Sequence, residues 1–172
     1  MMKGGGILAI VLGALALPAL AETGDQYLIA RLSMLQFSVN DADAGYGVGL
    51  YYGMGVWRDL SVEFEVNKSL GGGAYKSRQG QGDGKFDLWT GAAYAAYRVP
   101  VLGNSFVKGK FGGLYESISN NAKFKPRTTS GLGMSGGAGV GYSFANGATL
   151  EGEYTLIEKD IGLYGLGMHY QF

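Results

Sequence analysis

Gly-Leu-Tyr-Gly-Leu-Gly-Met-His-Tyr-Gln-Phe, residues 162–172, is the stretch that decides the fold. Side chains alternate between the two faces of a strand. Tyr164, Leu166, Met168, Tyr170 and Phe172 therefore share one face, and Gly165, Gly167, His169 and Gln171 share the other. An apolar face backed by a small or polar one, running out on an aromatic, fits a strand that closes a transmembrane β-barrel, with lipid outside and a narrow lumen inside.

The N-terminus agrees with a membrane address beyond the cytoplasm. Lys3 is the only charge before Glu22, residues 7–17 form an apolar run, and Ala19-Leu20-Ala21 is a small-x-small site. The run is too short to span a bilayer. Residues 1–21 read as a cleaved secretory signal peptide, and residues 22–172 as one outer-membrane barrel domain. The whole chain carries 14 basic and 14 acidic side chains, so losing Lys3 leaves the mature chain at a formal charge of −1.

Composition narrows the alternatives. The absence of cysteine excludes a disulfide framework, thiolate metal sites and a lipidated N-terminal cysteine. The 32 glycines would weaken helices throughout, and they follow no Gly-x-y period. Twelve tyrosines and eight phenylalanines favour strands, and Tyr suits a membrane interface. Beyond the signal peptide no apolar run is long enough for a membrane helix.

Period two recurs in eight segments: 27–39, 45–57, 60–69, 85–99, 105–117, 131–144, 148–157 and 161–172. Their connections differ in length. Residues 57–59, 100–104 and 145–147 are tight, and Asn146-Gly147 is a strong hairpin signal. Residues 71–84 and 119–130 are longer and polar, while 40–44 is intermediate and 158–160 short. Short turns on one side and longer loops on the other predict an eight-stranded, antiparallel, up-and-down barrel, its turns periplasmic and its loops extracellular.

Parity also assigns the faces. In the third segment Leu60, Val62, Phe64 and Val66 oppose Ser61, Glu63, Glu65 and Asn67; in the seventh Leu150, Tyr154 and Leu156 oppose Glu151, Glu153 and Thr155. Val107, Phe111 and Tyr115 oppose Lys108, Lys110 and Glu116 in the fifth. A soluble barrel would turn the charges outward. The glycines argue otherwise: Gly45, Gly47, Gly49, Gly53 and Gly55 share a face, as do Gly131, Gly133, Gly137, Gly139 and Gly141. A solvent face has no need of repeated glycine, which is entropically unfavourable, whereas a crowded lumen does. The charged and glycine face is therefore predicted inward. Arg31 and Arg98 belong inside because charge on the lipid face is costly. That parity sends Trp89 and Tyr97 outward, with Phe37 inside and Asp87 outside near strand ends.

The chain resembles the small outer-membrane β-barrel family that includes OmpA-type transmembrane domains, OmpX and OmpW. The features that carry the likeness are Gly45-Tyr46-Gly47-Val48-Gly49, Leu60-Ser61-Val62-Glu63 and the terminal Tyr170-Gln171-Phe172. The resemblance implies a Gram-negative outer membrane and a monomer surrounded by lipid and lipopolysaccharide. It also implies that Gly167, Tyr170 and Phe172 act as the signal read by the barrel assembly machinery, although Gly165 stands where a polar residue is usual. Members serve as structural barrels, adhesins or narrow channels.

No residue is assigned to catalysis, a cofactor or a metal. Gly131-Leu132-Gly133-Met134-Ser135-Gly136 spells a dinucleotide fingerprint, but no helix follows it. His169, the one histidine, would need a nearby Ser or Asp to act as the base of a lipid-modifying enzyme; a hydrogen-bonded lumen histidine is expected instead. Glu63, Glu65, Glu151 and Glu153 are expected to pair with Arg31, Arg98, Lys108 and Lys110 as a lumen network, since buried charges are normally paired. The sequence places Lys108 and Lys110 opposite Glu151 and Glu153, and Arg31 opposite Glu63 or Glu65, across glycine-faced strands. Recognition is left to the loops. Lys68, Lys76, Arg78, Lys85, Lys123, Lys125 and Arg127 stand there against Asp83 alone. Lys76, Arg78, Lys123, Lys125 and Arg127 are candidates for binding anions such as lipopolysaccharide phosphates or a host polymer. The sequence-level conclusion is a side-chain-filled barrel with a structural or surface role and no nucleic-acid partner. A narrow ion or solute channel is the alternative, followed by a lipid-modifying enzyme.

Overall fold

The computed structural model describes residues 26–37, 44–57, 59–71, 74–75, 84–120, 127–158 and 161–171. Its strands are β1 (Gln26–Phe37), β2 (Gly45–Trp57), β3 (Leu60–Gly71), β4 (Ala74–Tyr75), β5 (Gly84–Leu102), β6 (Ser105–Asn120), β7 (Arg127–Ser143), β8 (Ala148–Glu158) and β9 (Ile161–Gln171). Neighbours pair in the order β3-β2-β1-β9-β8-β7-β6-β5-β4, and a β3–β5 ladder closes the ring. All ladders are antiparallel. Eight long strands thus form a closed up-and-down barrel, and the two-residue β4 adds a rung outside it, Ala74 opposite Lys85. Closure removes the sheet edges that a membrane would not tolerate.

The strands outrun the sequence reading in two places. The turn expected over 100–104 is confined to Gly103-Asn104, because β5 continues through Pro100 to Leu102. Pro100 pairs with Phe106 beside a register shift at the rim, where a residue without an N–H is tolerated. Gly103 takes a φ of 55° to make the turn. The loop expected over 119–130 is largely strand: Ser119 pairs with Thr128 and Ser117 with Ser130. These residues are polar on both faces, so they carry no apolar period to read. At the 145–147 turn Gly147 has a φ of 83°, Gly147 N–H donates to Phe144 O at 3.1 Å, and Ala148 N–H donates to Asn146 Oδ1 at 3.1 Å.

The faces divide as parity requires. Leu32 (69 % exposed), Phe64, Leu132 (86 %) and Val140 point out, whereas Arg31, Glu63, Lys108 and Glu151 are buried inside. Trp89, Tyr97 and Asp87 are exposed, and Asp87 accepts a hydrogen bond from Ser69 Oγ at 2.9 Å near the long-loop end. The core of this protein is its lumen. The expected signal peptide lies outside the described residues, as do Lys76, Arg78, Lys123, Lys125 and Phe172; the side chains of Phe37, Arg127 and Tyr170 are likewise undescribed.

Candidate functional site

The lumen is stacked in layers, and strand register fixes their order. In β1 the inward residues climb from Tyr27 through Ile29, Arg31 and Ser33 to Leu35; in β8 they climb from Thr149 through Glu151, Glu153 and Thr155 to Ile157. Several of the large inward residues face a glycine across a ladder. Tyr27 lies opposite Gly53 and Arg31 opposite Gly49. Lys108, Lys110 and Phe106 lie opposite Gly139, Gly137 and Gly141. A Cβ at Gly53 would strike the Tyr27 ring, one at Gly141 the Phe106 ring, and one at Gly165 the Arg31 side chain. The long side chains fill the space that these glycines leave open.

Lys108 sits at the centre. Its Nζ lies 2.7 Å from Glu63 Oε2, 2.9 Å from Glu151 Oε1 and 2.7 Å from Glu153 Oε2. The Glu151 contact is aligned as a hydrogen bond. Lys110 pairs with Glu65 and, at 2.6 Å, with Glu153. Lys108 and Lys110 both reach β8 by leaning over the glycine face of β7. Arg31 turns away from Glu63 and Glu65. It crosses β9 above Gly165 and bonds Glu151 at 2.9 Å and Glu153 at 2.5 Å. Arg98 holds Glu63 at 2.6 Å and approaches Glu151 at 3.4 Å. The sequence reading offered Arg31 a partner on the wrong side, because parity gives a residue's face but not the direction in which it leans. What results is one continuous network in which four cations meet four carboxylates.

Tyrosines complete it. Tyr27 Oη donates to Glu63 Oε1 at 2.6 Å and accepts from Arg98 Nη1 at 2.7 Å. The Arg31 guanidinium lies 4.0 Å above the Tyr51 ring and Lys110 Nζ 4.2 Å above the Tyr94 ring, both favourable cation–π geometries. Above the charges Tyr51 donates to Asn67 at 2.8 Å and Tyr94 to Ser135 at 2.9 Å. Sequence reasoning missed these tyrosines as lumen fillers, although Tyr51 shares its parity with Gly49 and Gly53.

Higher still, an apolar septum of Leu35, Leu88, Leu114, Ile157, Ile161 and Leu163 closes the lumen, with Ala92 and Ile118 packed against it. All belong to the inward parity. At the opposite end His169 is buried edge-on to Tyr27, with ring centroids 5.2 Å apart. Neither ring nitrogen has a hydrogen-bond partner among the described residues. That corrects the expectation of a hydrogen-bonded histidine. Glu63, Glu65 and Glu153 converge closely enough to ligate a metal, but Lys108 and Lys110 already occupy the space between them.

The outer membrane protein beta-barrel domain family matches residues 7–172, and the chain belongs to that family. It is an outer-membrane protein. No curated protein is significantly similar to it in sequence. Among solved structures it is similar to Neisserial surface protein A, with a TM-score of 0.68 and 16% identity over 88% of this chain and 100% of that one. It is also similar to OprG from Pseudomonas aeruginosa, at 0.64 and 11% over 88% and 98%. A third is Ail, the attachment invasion locus protein of Yersinia pestis, solved with the heparin analogue sucrose octasulfate, at 0.59 and 16% over 88% and 100%. At these identities the likeness is one of fold.

Proposed function

We propose that this protein is a plugged, non-conducting and non-enzymatic barrel that acts at the cell surface through its basic loops. One observation carries the reading. Lys108 is 1 % exposed, Glu63 and Glu151 0 %, and Glu65 2 %. A water-filled channel would wet its charged walls; these groups are held by one another and, at Glu63, by the Tyr27 hydroxyl. With the lumen occupied, the loops are what remains for recognition. Lys76, Arg78, Lys123, Lys125 and Arg127 supply an excess of positive charge there, suited to lipopolysaccharide phosphates or a sulfated polymer. The heparin analogue bound by Ail, a protein of the same fold, makes an anionic polymer a reasonable partner. In this reading the barrel is monomeric and is delivered by the barrel assembly machinery through Gly167, Tyr170 and Phe172.

Two measurements test it together. In planar bilayers the purified barrel should give no steady conductance steps. Changing the five loop bases to Gln should weaken binding to immobilised heparin or lipopolysaccharide, and the wild-type attraction should fade with salt, because exposed charges are screened beyond about 8 Å at physiological ionic strength. Discrete conductance would replace this reading with a narrow channel. Salt-insensitive binding, unchanged by the substitutions, would remove the loops from it.

A further inference from the structure

The outer wall changes character along one row of paired residues. On its outward face Lys68 stands opposite Trp89, Trp89 opposite Ser117, and Ser117 opposite Ser130. Toward the short turns the same face carries Val66, Gly91, Tyr115 and Leu132, then Phe64, Ala93, Gly113 and Met134, with no charge among them. Toward the long loops it carries Asp87, Ser119 and Thr128. The row is therefore the upper edge of the apolar band. Its height agrees. The outward residues of β5 stay uncharged from Trp89 to Val99. At about 3.4 Å per residue and a tilt of about 40° that run rises about 26 Å, against an apolar band of about 25 Å.

Lys68 is the odd member of this row. Arg31, Arg98, Lys108 and Lys110 lie in the lumen and are ion-paired. Lys68 points outward, is exposed, and forms no ion pair with any described residue. Asp87, two residues above Trp89 on the same face, accepts from Ser69 instead. A cation on the lipid side is tolerated near an interface, where it meets headgroups. Trp89 bends down along its own strand: a Cβ at Gly91 would lie 3.3 Å from the indole. The indole meets Tyr115 edge-on, with ring centroids 5.7 Å apart, and stays 41 % exposed. An aromatic at this height is ordinary in a membrane protein. An unpaired ammonium, an exposed indole and two hydroxyls in one row are the contacts that a sugar phosphate needs. The ammonium gives charge-assisted hydrogen bonds to phosphate. The negative ring face attracts the C–H edges of a sugar, and Ser117 and Ser130 hydrogen-bond its hydroxyls. Asp87 offsets the charge of Lys68, so long-range attraction does not draw in every anion and the contacts select.

We infer that the row Lys68–Trp89–Ser117–Ser130 binds the phosphorylated sugar of a lipopolysaccharide molecule in the outer leaflet. The site is on the barrel wall, apart from the loop bases. The long loops mark this end as extracellular. The acyl chains of such a lipid run down the uncharged face below the row, past Gly91 and Gly113.

Of the two tryptophans, Trp57 is replaced by Phe so that emission reports Trp89 alone. This barrel is placed in phosphatidylcholine nanodiscs prepared with increasing fractions of diphosphoryl lipid A. The emission of Trp89 should change saturably. Phosphatidylglycerol, and lipid A stripped of its phosphates, should give no saturable change. Lys68→Gln should weaken the apparent affinity by about tenfold. Changing Lys76, Arg78, Lys123, Lys125 and Arg127 to Gln should leave it unaltered, which separates this site from the loops. If Lys68→Gln does not fold, as judged by heat-modifiable migration, the comparison of the three lipids decides. The inference is overturned by no saturable change with diphosphoryl lipid A, or by an equal response to phosphatidylglycerol or to the dephosphorylated lipid. An affinity untouched by Lys68→Gln also overturns it, as does one lost with the loop bases, which would move the site to the loops.

Discussion

Replacing Lys108 by Met should be among the most damaging single changes available to this barrel. The ammonium lies within 2.9 Å of oxygens on Glu63, Glu151 and Glu153. At an effective dielectric of about 20, each such pair is worth roughly 6 kcal/mol of gross attraction. Most of that is offset by desolvating the ammonium, so the net loss is far smaller than the sum. None of the three carboxylates is left alone: Glu63 keeps Arg98, Glu151 keeps Arg31 and Arg98, and Glu153 keeps Arg31 and Lys110. The network does become one negative charge in excess in a place that water does not reach. Breaking a buried pair from one side costs about 3–5 kcal/mol, and three affected carboxylates place Lys108→Met toward the upper end. Adding Glu151→Gln restores the balance of charge, so the double variant should be more stable than Lys108→Met alone, with a coupling of about 1–3 kcal/mol. Urea unfolding in lipid vesicles, followed through Trp57 and Trp89 fluorescence, measures both. A loss below about 1 kcal/mol for Lys108→Met, or a double variant as unstable as the two singles added, would show that water screens the lumen and that the plug reasoning is wrong.

Gly139→Leu should destabilise the barrel far more than Val140→Leu in the same unfolding assay, because a Cβ at Gly139 would sit 2.7 Å from Gly152 O whereas Val140 faces lipid; equal effects would refute the assignment of faces. Deleting Phe172 should reduce the heat-modifiable, outer-membrane fraction of the protein, and the intact mass of the wild-type form should correspond to a chain starting at Glu22; normal assembly of the truncated protein would remove Phe172 from the assembly signal.

The alternation of small and apolar residues was enough to reveal the barrel and which side of each strand faces the lumen. Parity is a local property and survives without tertiary knowledge. The partners inside the lumen were legible only in part. Lys108 and Lys110 share a height with Glu151 and Glu153 that can be counted from the turns. Arg31 could lean either way, and only the packing of Tyr51 over β2 and the bareness of Gly165 on β9 decide it. The septum was present in the first stretch read, where Leu163 shares its parity with Gly165 and Gly167. A charged and glycine-rich face gives no sign of an apolar layer, although a lumen layer away from water takes leucine readily. Strand ends were least legible wherever both faces are polar, as at Thr128, Thr129 and Ser130.

The β6–β7 hairpin continues well past its neighbour. The last β7–β8 pair joins Gly136 to Leu156, while β6 and β7 remain paired to Asn120 and Arg127. Residues 127–135 therefore rise with β6 alone, about 30 Å along the strand at roughly 3.4 Å per residue. That length exceeds three times the screening distance of about 8 Å in physiological salt. Charge carried at the far end of this arm is thus electrically deaf to the network in the lumen. The two can change independently, the lumen network under the constraint of packing and the arm under none that the network imposes.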